Sequence, residues 1–179
     1  MGERFNEISD RHKAFIEEQK IFFVATATAD SRVNLSPKGI DSLRVLDANR
    51  VIWLSVTGSG NETSAHIQEN ARMTVMFTSF TKKPLILRLY GQAREIKPTD
   101  SEWDELGKHF PEIPGARQIF DVSVDLVQAS CGMSVPFYEF QSERETLSDW
   151  ASKIGKEGVA KYWKDKNQFS IDGKPTNII

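Results

Sequence analysis

Apolar positions near the start of the chain recur at helical spacing. Ile8, His12, Phe15 and Ile16 share one face while Lys13, Glu17 and Glu18 take the other, which predicts an amphipathic helix over 6–19. The period then shortens. Residues 21–28 are β-branched and aromatic and read as a strand, followed by a turn at Ala29-Asp30-Ser31. Arg32 to Ser36 alternates, with Val33 and Leu35 on one side and Arg32, Asn34 and Ser36 on the other. Pro37 and Gly39 predict a strand end or bulge near Lys38. Two further strands, 43–46 and 50–56, flank Asp47-Ala48-Asn49. Residues 73–80 and 85–96 form a hairpin across Thr81-Lys82-Lys83-Pro84, and 119–129 alternates again. Pro136 to Phe140 reads as a last short strand.

Helices are few. A short one over 60–69 follows the capping-box pair Ser59/Glu62 and ends at Asn70. Thr99/Glu102 opens a second, to about Lys108, with Trp103 and Leu106 as its apolar face. Ser142/Glu145 opens a third, carrying Leu147, Trp150 and Ile154, and 156–166 reads as a fourth, with Val159, Tyr162 and Trp163. Many short strands with brief connections point to a mainly β fold, an antiparallel β-barrel with flanking helices, because parallel crossovers need about a dozen residues each. Nothing in the composition divides the 179 residues, so one domain is expected, with a helical extension over about 142–179.

Charge and composition exclude several classes. A formal net charge of -2 gives no basic field for nucleic acid or anionic lipid. The single cysteine, Cys131, rules out an internal disulfide framework and fits a reducing compartment. The polar, acidic start carries no secretory pattern, and no apolar run approaches the ~20 residues of a membrane span, so a cytoplasmic location is expected. His12, His66 and His109 lack metal-ligand spacing, and Cys131 has no CxxC partner, so no metal site is expected.

The strongest chemical signal is Thr57-Gly58-Ser59-Gly60-Asn61-Glu62-Thr63-Ser64, a glycine- and hydroxyl-rich loop between a strand and a helix. Free N–H groups and the dipole at a helix start favour an anion such as phosphate. No Lys-Ser/Thr follows the glycines, and Thr63 stands at the third glycine position of a dinucleotide fingerprint, so neither phosphate-loop signature is met. A capped glycine turn with no ligand explains the same residues. A second signal lies nearby. Asn34, Ser36 and Lys38 project from one strand face, where Lys38 supplies positive charge and the other two suit the polar edge of a planar ring.

Together these segments resemble the pyridoxamine 5'-phosphate oxidase-like, FMN-binding split-barrel proteins. The resemblance rests on residues 32–39 (RVNLSPKG), 51–63 (VIWLSVTGSGNET), 65–77 (AHIQENARMTVMF) and 87–93 (LRLYGQA), in order, and covers about 10–130. It implies an FMN-binding split β-barrel of antiparallel Greek-key type, working as a homodimer with FMN at the subunit interface. Asn34, Ser36 and Lys38 then line the flavin ring and ribityl chain, Ser55, Val56 and Thr57 lie beside the ring, and Asn61, Glu62 and Thr63 grip the phosphate. The oxidases place Arg and Lys where this chain has Glu62 and Thr63. A carboxylate repels a phosphate dianion, so Glu62 is expected to turn away and cap Ser59. Phosphate binding then falls to the helix start, the hydroxyls and Lys38, with Arg32 or Arg88 in support. The oxidases' C-terminal substrate-binding residues have no match, so vitamin B6 oxidation is not expected. The resemblance implies an FMN-dependent oxidoreductase passing hydride or electrons between flavin and a small molecule or NAD(P)H, with Arg88 and Arg117 as anion contacts. A non-catalytic or redox-sensing flavin protein, or a split barrel holding a deazaflavin or haem, is the alternative.

Overall fold

A computed structural model describes residues 2–179. Eight strands are β1 (Glu3–Phe5), β2 (Phe22–Thr26), β3 (Asn34–Lys38), β4 (Leu43–Asp47), β5 (Arg50–Val56), β6 (Arg72–Thr78), β7 (Ile86–Ile96) and β8 (Ala116–Ser130). Four helices are α1 (Asp10–Glu18), α2 (Glu62–Glu69), α3 (Trp103–Gly107) and α4 (Thr146–Lys166). The strands form one antiparallel sheet in the order β3-β2-β6-β7-β8-β5-β4, with β1 added to β8. The fold is mainly β and antiparallel, as the strand pattern predicts, and it is the split barrel that the resemblance implies. Its two edges, β3 and β4, are joined by residues 39–42 but share no ladder, so the sheet is not closed. The joint is tight: Ile40 and Asp41 both have φ 54, and the Ser42 hydroxyl donates to the Gly39 carbonyl at 2.6 Å. A β-branched residue in this left-handed region carries strain on the order of 1–2 kcal/mol.

Alternation along the strands fills the interior. Val24, Val51, Trp53, Val75, Phe77, Leu87, Leu89, Phe120 and Val122 are fully or almost fully buried there, with Trp53 stacked on Phe120 at 4.5 Å between ring centroids. Strand β5 does not alternate, because both its faces are covered. Val51 and Trp53 face inward, while Ile52 and Leu54 pack outside against Leu106 and Phe110 on and after α3. The continuous run Val-Ile-Trp-Leu is the sequence mark of that double burial.

Differences from the sequence reading have local causes. Helix α1 begins at Asp10 rather than residue 6, because Ser9 caps it: its hydroxyl accepts the His12 N–H, and its own N–H donates to His12 Nδ1. The three residues of β1, too short to show a period, pair with β8 instead. The Ser59/Glu62, Thr99/Glu102 and Ser142/Glu145 capping boxes do not form; α2, α3 and α4 start after Asn61, Glu102 and Glu145, none of which makes a side-chain cap. Glu102 instead holds Arg94 through two hydrogen bonds of 2.6 and 2.7 Å. Pro136 to Phe140 is not a strand; the Tyr138 N–H donates to the Phe80 carbonyl and its ring meets Phe80 edge-on. The two C-terminal helices do form as expected, as the two halves of α4 separated by the non-helical Gly155 (φ 69, ψ 176), a conformation that favours glycine. Among the described residues, no helix is long and apolar enough to cross a membrane.

Candidate functional site

Beside the open seam of the sheet lies a groove of about 720 Å³, bordered by β3, the end of β5, the glycine-rich loop and the residues after α4. Among the residues singled out in the sequence, Arg32, Asn34, Ser36, Lys38, Ser55, Val56, Asn61, Glu62, Thr63 and Arg117 line it. Strand β3 delivers three of them by period 2, with an inversion of the usual arrangement. Its polar residues Asn34, Ser36 and Lys38 turn inward, while Leu35 is 64% exposed and the neighbouring Val33 74% exposed. The apolar face of this strand therefore does not meet the core. β3 is an edge strand: its inward face lines the groove, while Val33 and Leu35 lie exposed at the groove mouth.

The loop and helix side is built from β5 onward. The Asn34 amide donates to Thr63 Oγ1 at 3.2 Å, tying β3 to the first turn of α2. Thr26 Oγ1 shares a 3.1 Å hydrogen bond with the buried His66 ring behind it. Glu62 does turn away, but not to Ser59: both its carboxylate oxygens accept the main-chain N–H of Ile171, at 3.0 and 3.2 Å. Thr57 is drawn out of the groove wall. Its hydroxyl donates to the Gly115 carbonyl and accepts Trp163 Nε1–H, both at 2.8 Å, so it lies behind the site as support. Arg88 does not reach the groove; it sits on β7 opposite Met76 and Gln128, with its guanidinium on Ser130 Oγ. Arg32 lines the rim, but Asp172 engages its guanidinium and its main-chain N–H.

Two cations, the half-buried Lys38 and the buried Arg117, dominate the electrostatics. Lys38 has its ammonium 5.4 Å from the centroid of the Trp53 ring, and burial, with the Arg117 charge adding to it, pulls its pKa down to about 8. Arg117, on β8, is 4% exposed, and burial pulls its pKa down to about 10. Its Nη1 donates to the Gly60 carbonyl at 3.1 Å and to Asn167 Oδ1 at 2.7 Å, and its Nη2 to Ser55 Oγ at 3.3 Å. Among the described residues, neither cation makes an ion pair within 4 Å. Three buried donor groups of the groove residues also lack a partner: Ser36 Oγ, Asn61 Nδ2 and Arg117 Nε. Buried donors without acceptors and sequestered cations without a counter-charge are costly, and the chemistry that satisfies them is an anionic ligand with carbonyl or phosphate oxygens.

Residues beyond the strand pattern complete the wall. Lys166, Phe169, Ser170 and Ile171 all line the groove, and Asn167 lies just behind it. None of these stood out in the sequence, since 108 to 137 residues separate Phe169 and Ile171 from Asn61 and Asn34 with no pattern linking them.

Residues 8–131 match the family model of pyridoxamine 5'-phosphate oxidase. The chain is 32% identical, over 189 residues, to the pyridoxamine 5'-phosphate oxidase family protein ustO of Aspergillus flavus, across 96% of this chain and 76% of that protein. A HupZ variant from Group A Streptococcus has a similar structure, with a TM-score of 0.55 at 19% identity over 69% of this chain and 99% of that one. A Lactobacillus delbrueckii protein named for pyridoxamine 5'-phosphate oxidase gives 0.56 at 20% identity over 69% and 94%. At such identity these two structures share the fold with this chain.

Proposed function

Because the chain belongs to the pyridoxamine 5'-phosphate oxidase family, we propose that its groove binds flavin mononucleotide and that the protein is an FMN-dependent oxidoreductase acting on a small molecule. The observation that carries this reading is the buried Arg117 beside the half-buried Lys38, with no carboxylate within 4 Å of either among the described residues, in a groove also lined by unpartnered donors. A bound flavin supplies hydride and electron transfer. The chain's part is binding and electrostatics. Asn61 Nδ2 and the main-chain N–H groups opening α2 suit phosphate oxygens, as does the Arg117 guanidinium. Ser36 Oγ suits a ring or ribityl oxygen, and Lys38 holds positive charge against a developing anion. Glu62, engaged by Ile171, is kept from opposing the phosphate.

The same reading takes the protein as a homodimer. Val33, Leu35, Phe169 and Ile171 are exposed apolar residues at or beside the groove mouth, and a second copy covering them would also shield the flavin from water.

An absorbance scan before and after adding FMN, with gel filtration of the same sample, tests this. Flavin bands travelling with a dimer-sized peak, and bleaching by NAD(P)H or a substrate, are the expected results. A protein that leaves FMN unbound refutes the flavin reading, while a deazaflavin or Soret band would replace it with another cofactor.

A further inference from the structure

Asn167 follows the last turn of α4 and is completely buried, an unusual place for a polar side chain. Every part of it is engaged. Its Oδ1 accepts from Arg117 Nη1 at 2.7 Å, its Nδ2 donates to the Gly58 carbonyl at 3.1 Å, and its own carbonyl accepts the Thr176 hydroxyl at 2.6 Å. Turning the amide over would set its NH₂ against a guanidinium and its oxygen against a carbonyl, so the orientation is fixed by its neighbours. The residue therefore joins three elements at one point: the end of α4, the glycine-rich loop and the β8 arginine.

The chemistry of that joint is specific. Each hydrogen-bond partner of the Arg117 guanidinium is neutral: the Gly60 carbonyl, the Ser55 hydroxyl and the Asn167 amide. Three of its five N–H donors are thus held, leaving Nε and one Nη2 hydrogen. The carboxylate whose field reaches it, Glu95, lies beyond ion-pair distance and accepts the Ser64 hydroxyl at 2.6 Å. An aspartate at 167 would match the amide in shape but neutralise the guanidinium locally. We infer that Asn167 is a positioning residue for the anion site: its amide aims Arg117 at the groove and leaves the full positive charge for a phosphate. The inference rests on the flavin reading in one respect, the identity of the phosphate carrier.

The test compares the wild type with Asn167→Asp and Asn167→Ala in fluorescence titrations with FMN and with riboflavin, which lacks the phosphate. A lost hydrogen bond to a charged group predicts FMN binding weaker by about tenfold in the alanine variant. The added negative charge predicts a loss of about a hundredfold in the aspartate variant. Riboflavin affinity should stay within about threefold of wild type in both, which also reports that the groove is folded. The inference is overturned if Asn167→Asp binds FMN as tightly as wild type, if FMN and riboflavin weaken equally, or if the alanine variant is as impaired as the aspartate. Inorganic phosphate, read by thermal shift, separates this from the flavin reading. If wild type ignores FMN but is stabilised by phosphate while Asn167→Asp is not, the flavin assignment falls and the role of Asn167 stands. If wild type responds to neither, both fall.

Discussion

Replacing Lys38 by methionine should make the protein more stable and a poorer flavin binder at once. Methionine keeps an unbranched chain of similar length on β3 and removes only the charge. Burial lowers the Lys38 pKa from 10.5 to about 8. In that window the unfolded chain binds the extra proton, so stability rises as pH climbs from about 8 to 10.5, and the penalty is complete below pH 8. At ~1.4 kcal/mol per tenfold, the penalty at pH 7 is about 3 kcal/mol. The ammonium over the Trp53 ring returns about 1 kcal/mol. The net gain for Lys38→Met is then about 2 kcal/mol, which raises Tm by roughly 4–8 °C in a domain of this size. Against that, loss of a hydrogen bond to a charged group weakens FMN binding by about ten- to a hundredfold. Differential scanning calorimetry of the flavin-free protein at pH 7 and titration calorimetry with FMN measure the two quantities. A variant that melts below wild type and binds FMN equally well would refute both the burial penalty and the anion role.

Three other outcomes follow from the same structure. Wild-type FMN affinity should fall as pH rises through about 8, by up to about tenfold per unit, because Lys38 must take up a proton to meet the anion; titrations at pH 7, 8 and 9 should show this, with a flatter profile in Lys38→Met. Gly91→Ala places a Cβ 2.1 Å from the Ser123 carbonyl at the β7–β8 bulge, so urea melts should show a loss of about 3 kcal/mol or no folded protein. The control Gly107→Ala, whose Cβ meets nothing within 4 Å, should change stability by less than about 1 kcal/mol. Leu35→Asp, on an exposed position of edge strand β3, should leave the melting temperature nearly unchanged yet shift sedimentation velocity from dimer to monomer; an unaltered dimer would remove β3 from the interface.

What was legible in the chain follows from local physics. Alternation, β-branched and aromatic content and short turns mark seven of the eight strands, and the continuous apolar run of β5 matches its burial on both faces. The loop before α2 and the polar face of β3 announced most of one wall of the groove, because residues two apart on a strand share a face whatever the rest of the fold does. Alternation does not say which face is covered, however. That β3 turns Asn34, Ser36 and Lys38 inward and leaves Leu35 in the open is decided by its place at the sheet edge, with no ladder to β4. The capping pairs have the spacing of local devices, but Glu62 and Glu102 are drawn to Ile171 and Arg94, partners that sequence spacing cannot announce. Thr57 was taken behind the wall by Gly115 and Trp163 in the same way. The arrangement of Arg117 is the clearest case. Its burial, its neutral partners and the Asn167 amide that holds it come from β5, β8 and the end of α4, and only the packed chain brings these within 3.3 Å. Secondary structure and one face of the site follow from neighbours in sequence, whereas charge left without a counter-ion is a property of the folded interior, where low dielectric makes each pairing count.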